Sequence, residues 1–132
     1  MAINVLIVDD SAVMRAMILK TMRMSDIALG EIHEASNGRE GLGMLSDHWI
    51  DLLMLDINMP VMNGEEMLEK MQQDPGLKDT PTIVISTEGS QTRIERLKAM
   101  GARFIRKPFT PETIRDTVKE LLGEGAIDEA TT

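Results

Sequence analysis

The sequence predicts an α/β fold in which a parallel five-stranded sheet carries helices on both faces. Three observations lead there. Five short apolar or β-branched runs alternate with five segments of helical period, and units of this length link parallel strands by crossover helices. The runs at 3–8 and 51–55 are almost wholly apolar, as strands buried on both faces are. Capping residues, glycines and prolines fall between the runs, where turns need them.

Taken in order, 3–8 is the first strand, and Asp9-Asp10-Ser11 ends it. Ser11 is placed to cap a helix through about Met24, because its hydroxyl can accept a first-turn N–H. A weaker strand follows at 31–35, then an Asn37-Gly38 turn and a helix over 39–45. The third strand, 51–55, leads into a loop marked by Pro60 and Asn63-Gly64, and a helix spans 65–73. The fourth strand is 82–86 and its helix 91–100, stopped by Gly101, as a C-terminal glycine does. The fifth strand, 103–106, is cut off before Pro108. Thr110 caps the last helix, 111–122, with Pro111 in the first turn, where its missing N–H costs nothing. Residues 1–123 therefore form one domain, and 124–132 are expected to be a disordered acidic tail.

Composition narrows the function. The chain has 132 residues and a net charge of -8, which disfavours nucleic acid and anionic membranes as partners. No apolar run approaches the roughly 18 residues of a membrane span, no secretory leader is evident, and cysteine is absent. A cytoplasmic monomer without membrane insertion, disulfides or thiolate metal sites is expected. One window departs from the acidic background: residues 93–107 hold Arg93, Arg96, Lys98, Arg103, Arg106 and Lys107 against the single acid Glu95.

In open parallel sheets, ligands bind beyond the carboxyl ends of the strands. The residues there are Asp9, Asp10, Asp56, Ser86 and Lys107. Singly, each has a plain reading as a turn former, cap or surface charge. Together they bring three carboxylates, a hydroxyl and an ammonium to one edge. Clustered carboxylates repel unless a cation lies among them. With no thiolate or nearby histidine, the cation that suits oxygen ligands is Mg²⁺. Such a set fits phosphoryl transfer, where positioning and charge neutralisation do most of the work. Asp56, at the end of the central strand, is the candidate nucleophile.

Three segments resemble the response-regulator receivers of two-component signalling: Val5-Leu6-Ile7-Val8-Asp9-Asp10, the loop from Asp56 through Pro60 to Asn63-Gly64, and Lys107-Pro108-Phe109. The resemblance runs over about residues 3–123, and a stand-alone receiver without an output domain is expected. It implies a doubly wound, flavodoxin-like sheet of order 2-1-3-4-5. It implies that Asp56 accepts a phosphoryl group from a histidine kinase, of the chemotaxis type or another. Mg²⁺ would be held by Asp10, Asp56 and the Asn58 carbonyl, with Asp9 acting through water. Lys107 would contact the phosphoryl group across a cis bond to Pro108. Ser86 and Phe104 would be the switch pair, and Asn58 and Glu88 would tune dephosphorylation. The protein would catalyse only its own phosphorylation and dephosphorylation. The fourth helix, fifth strand and fifth helix would form the output surface, with Arg93, Arg96, Arg103 and Arg106 facing an acidic or amphipathic partner segment. That partner is a flagellar motor switch in a chemotaxis messenger, or another regulator if the chain is a relay, adaptor or phosphate sink. Phe104 lacks the tyrosine hydroxyl of motor-binding members, which counts against the motor.

Two other uses of such folds fit less well. Asp9-Asp10-Ser11 would repel a flavin phosphate, and with no Tyr and two Phe little is available to stack on the ring. A haloacid-dehalogenase-type phosphatase needs a second Asp two residues after the first, where Ser11 stands. Trp49 should lie at the opposite sheet edge from the acids. Met14, Met17, Met22, Met67, Met71 and Met100 read as core filling. His33 and His48 lie away from the active edge, so neither is expected to be a phosphocarrier or a ligand.

Overall fold

The computed structural model describes residues 2–87 and 89–128. Strands β1 (Ile3–Val8), β2 (Leu29–Ala35), β3 (Leu52–Leu55), β4 (Thr82–Ser86) and β5 (Arg103–Arg106) alternate with helices α1 (Ala12–Arg23), α2 (Gly38–Asp47), α3 (Gly64–Gln72), α4 (Gln91–Ala99) and α5 (Pro111–Leu122). The sheet is parallel throughout, in the order β2-β1-β3-β4-β5. The fold class and strand order are those expected.

Strand alternation divides the core in two. Val5, Ile7, Leu52, Met54, Ile83, Ile85 and Ile105 face one side, where Ile18 and Met22 of α1 and Ile114 and Val118 of α5 cover them. Leu6, Val8, Leu53, Leu55 and Val84 face the other, under Leu45 of α2, Met67, Leu68 and Met71 of α3 and Leu97 of α4. The three central strands are thus apolar on both faces, each fully buried large side chain contributing about 1.5–3 kcal/mol. Of the methionines expected as filling, Met22, Met67 and Met71 are buried, but Met17 is half exposed.

Every helix starts at the carboxyl edge of the sheet, and each has a side-chain cap there. Ser11, Asn37, Asn63, Ser90 and Thr110 accept the N–H of Met14, Glu40, Glu66, Arg93 and Thr113. At Asn63 the cap is reciprocal, since Glu66 also accepts the Asn63 N–H at 3.1 Å. Rigid caps at five loop–helix junctions fix the loops that carry the polar residues. The α4 stop at Gly101 is made with φ +91°, a conformation glycine adopts without strain.

Two expectations need correction. β2 begins at Leu29 rather than residue 31, because Leu29 pairs with Ile3 before the register shifts. More substantially, the chain does not turn into a free tail after Gly123. Glu124–Ala126 form a 3₁₀ turn, Ala126 is fully buried and Ile127 nearly so. Ala28 donates its N–H to the Ala126 carbonyl at 2.9 Å, and Ile127 bridges to Ile27. Two apolar residues within a polar stretch find a gap beside α1, and their burial outweighs the entropy of ordering the turn. Residues 129–132 of the expected tail lie outside the described residues.

Trp49 is 79% exposed and donates its indole N–H to Asp51 at 3.0 Å. It precedes β3 whereas Asp56 follows it, so the length of a strand separates them. Its fluorescence should therefore stay essentially constant on adding Mg²⁺. Quenching as strong as that of an indole touching the acids would contradict this placement.

Candidate functional site

The ladders decide which residues meet. Val8 pairs with Leu55 and Ser86 with Arg106. The next residues, Asp9, Asp56 and Lys107, therefore emerge together. Backbone bonds hold each in place: Asp9 N–H to Ala35, Asp56 N–H to Val8 and Lys107 N–H to Ser86, at 2.9–3.1 Å. β5 lies two strands from β3, about 10 Å away, and the long lysine stem spans that gap. Its ammonium stands 3.8 Å from Asp9 Oδ2 and 3.7 Å from Asp56 Oδ1. The Lys107-Pro108 bond is cis, as the resemblance implied.

Asp9, Asp10 and Asp56 each offer a carboxylate oxygen within 4.8 Å of the others. Asp9 is buried, Asp56 partly buried and Asp10 exposed. Burial pushes the carboxyls of Asp9 and Asp56 above their ordinary range; Lys107 opposes that in both, and the Ser11 N–H also does so at Asp9. Asp9 Oδ1 accepts that N–H at 2.9 Å, but the buried Oδ2 accepts no hydrogen bond from the described residues. A buried carboxylate oxygen left with only an ammonium 3.8 Å away suits an oxygen-seeking cation, and three carboxylates plus water suit Mg²⁺.

Ser86 is buried at the end of β4. Phe104, on β5, is half-buried against the α3–α4 side, with the Arg106 guanidinium 6.0 Å from its ring. Asn58 is exposed in the loop after Asp56, while its neighbour Ile57 is fully buried and anchors that loop. Glu88 lies outside the described residues. Gly64 packs its backbone against Asp56 and Ile57, donating its N–H to Ile57 at 2.8 Å.

The basic window is less uniform than its sequence suggests. Glu65 of α3 takes Arg96 at 2.9 Å and Arg93 at 3.3 Å. The hydrogen bond from Arg96, with the charge of both arginines, holds the Glu65 carboxyl below the usual range. Arg93 and Arg96 thus tie α4 to α3, whereas Arg103 and Arg106 are exposed on β5. Arg15 is a second residue that sequence reasoning passed over. It donates to the Asp9 carbonyl at 2.6 Å and pairs with Glu34 at 2.8 Å, bracing the acidic loop. Neither link shows in the sequence, because the partners are 31 and 19 positions apart and each alone reads as an ordinary helix-surface charge.

The profile of the response regulator receiver domain matches residues 5–119. A chemotaxis protein CheY homolog of Campylobacter jejuni is 34% identical over 125 residues, covering 93% of this chain and 95% of that protein. The structure of the chemotaxis response regulator CheY4 of Vibrio cholerae superposes with a TM-score of 0.80 at 34% identity, over 92% of this chain and all of that one. CheY of Borrelia burgdorferi, solved in a CheX-CheY-BeF3-Mg complex, gives 0.80 at 29% identity, over 89% of this chain and 87% of that one.

Proposed function

The chain belongs to the response regulator receiver family, and from that premise we propose that Asp56 is its phosphoacceptor and a histidine kinase its donor. The observation that carries the proposal is the Lys107 ammonium set between Asp9 and Asp56 beside a buried, unbonded carboxylate oxygen. In the transfer, an Asp56 oxygen forms the new O–P bond as the P–N bond of the donor phosphohistidine breaks, and the histidine nitrogen leaves with the electron pair. Asp10, Asp56 and the Asn58 carbonyl would hold Mg²⁺, with Asp9 acting through water, and the ion when bound neutralises phosphoryl charge. Lys107 balances the charge of the same group from the other side.

Phosphorylation replaces the single charge of the Asp56 carboxylate with a group of charge about -2 next to the end of β4. Ser86 would turn its hydroxyl to that group and Phe104 would move toward the space it leaves, a population shift between states a few kcal/mol apart. The altered α4–β5–α5 face would then meet its partner through Arg103 and Arg106. Arg93 and Arg96 would join them only on leaving Glu65. The names of the relatives favour a chemotaxis messenger. The phenyl ring at Phe104, which offers no hydroxyl, favours instead a relay, adaptor or phosphate sink.

Intact-mass measurement after incubation with a small acyl phosphate and Mg²⁺ tests the assignment. One labile phosphoryl adduct is expected, requiring Mg²⁺ and missing from Asp56→Asn. An adduct that survives Asp56→Asn, or none on folded, Mg²⁺-binding protein, would refute it.

A further inference from the structure

His33 and His48 were expected to be neither phosphocarrier nor ligand, yet the fold brings them together. β2 is an edge strand, and alternation points Glu31, His33 and Ala35 to its α2 side, the side on which Ala35 joins the core. His48 is the residue that ends α2, held there by its N–H to the Met44 carbonyl at 3.0 Å. The two imidazoles stack with centroids 3.9 Å apart and planes 25° apart. His33 Nε2 lies 3.0 Å from Glu31 Oε1. One ligand atom from each of Glu31, His33 and His48 falls within 4.8 Å of the other two.

We propose that Glu31, His33 and His48 form a surface site for a divalent transition ion of the Zn²⁺, Ni²⁺ and Cu²⁺ class, separate from the acidic edge and independent of the phosphoacceptor reading. Two imidazoles and one carboxylate select borderline ions over Mg²⁺, which prefers an all-oxygen shell. Tetrahedral ligands on bonds of about 2.1 Å stand about 3.4 Å apart. The pair at 3.0 Å needs to open by only about 0.4 Å to reach that spacing, and the rest needs only side-chain rotation. The surroundings permit it, since His48 is exposed and Glu31 is 69% exposed. Three protein ligands leave a coordination position open to water or to a side chain of another protein. A bound ion would fasten the edge strand to the α2–β3 connection.

Trp49, next to His48, reports on the site. Calorimetric titration with Zn²⁺ at about pH 8, where free imidazole is neutral, is run in excess Mg²⁺ to fill the acidic edge. One equivalent should bind to the wild type and equally to Asp56→Asn. Loss of outer-shell partners alone weakens metal sites 10–100-fold, so loss of a ligand in His33→Gln or His48→Gln should weaken Zn²⁺ binding by about 100-fold. Glu31→Gln, at a ligand whose side chain is 69% exposed, should disturb folding little and should also weaken Zn²⁺ binding. Cu²⁺ should quench Trp49 at one equivalent, and stripping the ion with EDTA should restore the emission. Zn²⁺ binding unchanged in both histidine variants, binding abolished by Asp56→Asn, or none in the wild type would overturn the site.

Discussion

Lys107→Ala should slow phosphorylation of Asp56 by a small acyl phosphate by about 10²–10³-fold, the usual effect of removing one preorganised charge from a developing transition state. The ammonium is held 3.7 Å from Asp56 and 3.8 Å from Asp9, with its stem laid across β4. It meets phosphoryl oxygens as their charge rearranges and requires no reorganisation to do so. The same substitution removes a cation that competes with Mg²⁺ for the carboxylates. Mg²⁺ affinity should therefore hold or rise while the rate falls. Rates from intact-mass time courses and affinity from calorimetry separate the two. If rate and Mg²⁺ affinity fall together, Lys107 acts by holding the pocket in shape and the electrostatic role is wrong.

Gly64→Ala should lower stability by about 3 kcal/mol, the upper end of overpacking costs, or roughly 10 °C in melting temperature for a domain of this size. A Cβ at Gly64 would collide with the Asp56 carbonyl oxygen and come within 3.0 Å of the Ile57 Cα. Both obstacles are backbone, so no side chain can swing aside. The glycine is needed for space, because α3 begins here against the loop that leaves β3. Relief of the clash would push Asp56 away from Asp9, so Mg²⁺ affinity should fall as well. A variant that melts within a degree or two of the wild type would show that the approach is looser than described.

What the sequence made legible follows from the range of the forces involved. The caps at Ser11 and Thr110 and the stop at Gly101 are local, and they stand where the residues place them. The edge that unites Asp9, Asp56 and Lys107 could be read because parallel topology constrains strand ends however far apart they lie in the chain. Contacts between side chains of different elements obey no such rule. Glu65 with Arg93 and Arg96, Arg15 with Glu34, and His33 with His48 depend on helix rotation and rotamers fixed only by packing. The fate of residues 124–127 was misjudged for a related reason: Ala126 and Ile127 are too few to register as a pattern, but they fit a gap left by distant elements.

The closure at Ala126 and Ile127 bears on synthesis of the chain. The Ala126 carbonyl binds Ala28, whose own carbonyl accepts the Ile3 N–H at 2.7 Å. Residues near 3, 28 and 126 are thereby joined in one short relay of backbone bonds. A nascent chain emerging from the ribosome can pair β1 with β3 and stack α2 and α3 on one face. It cannot seal the other face until α5 and the turn after it are free. Until then the part of that face covered by Ile114 and Val118 of α5 stays open to water, and to any chaperone waiting at the exit.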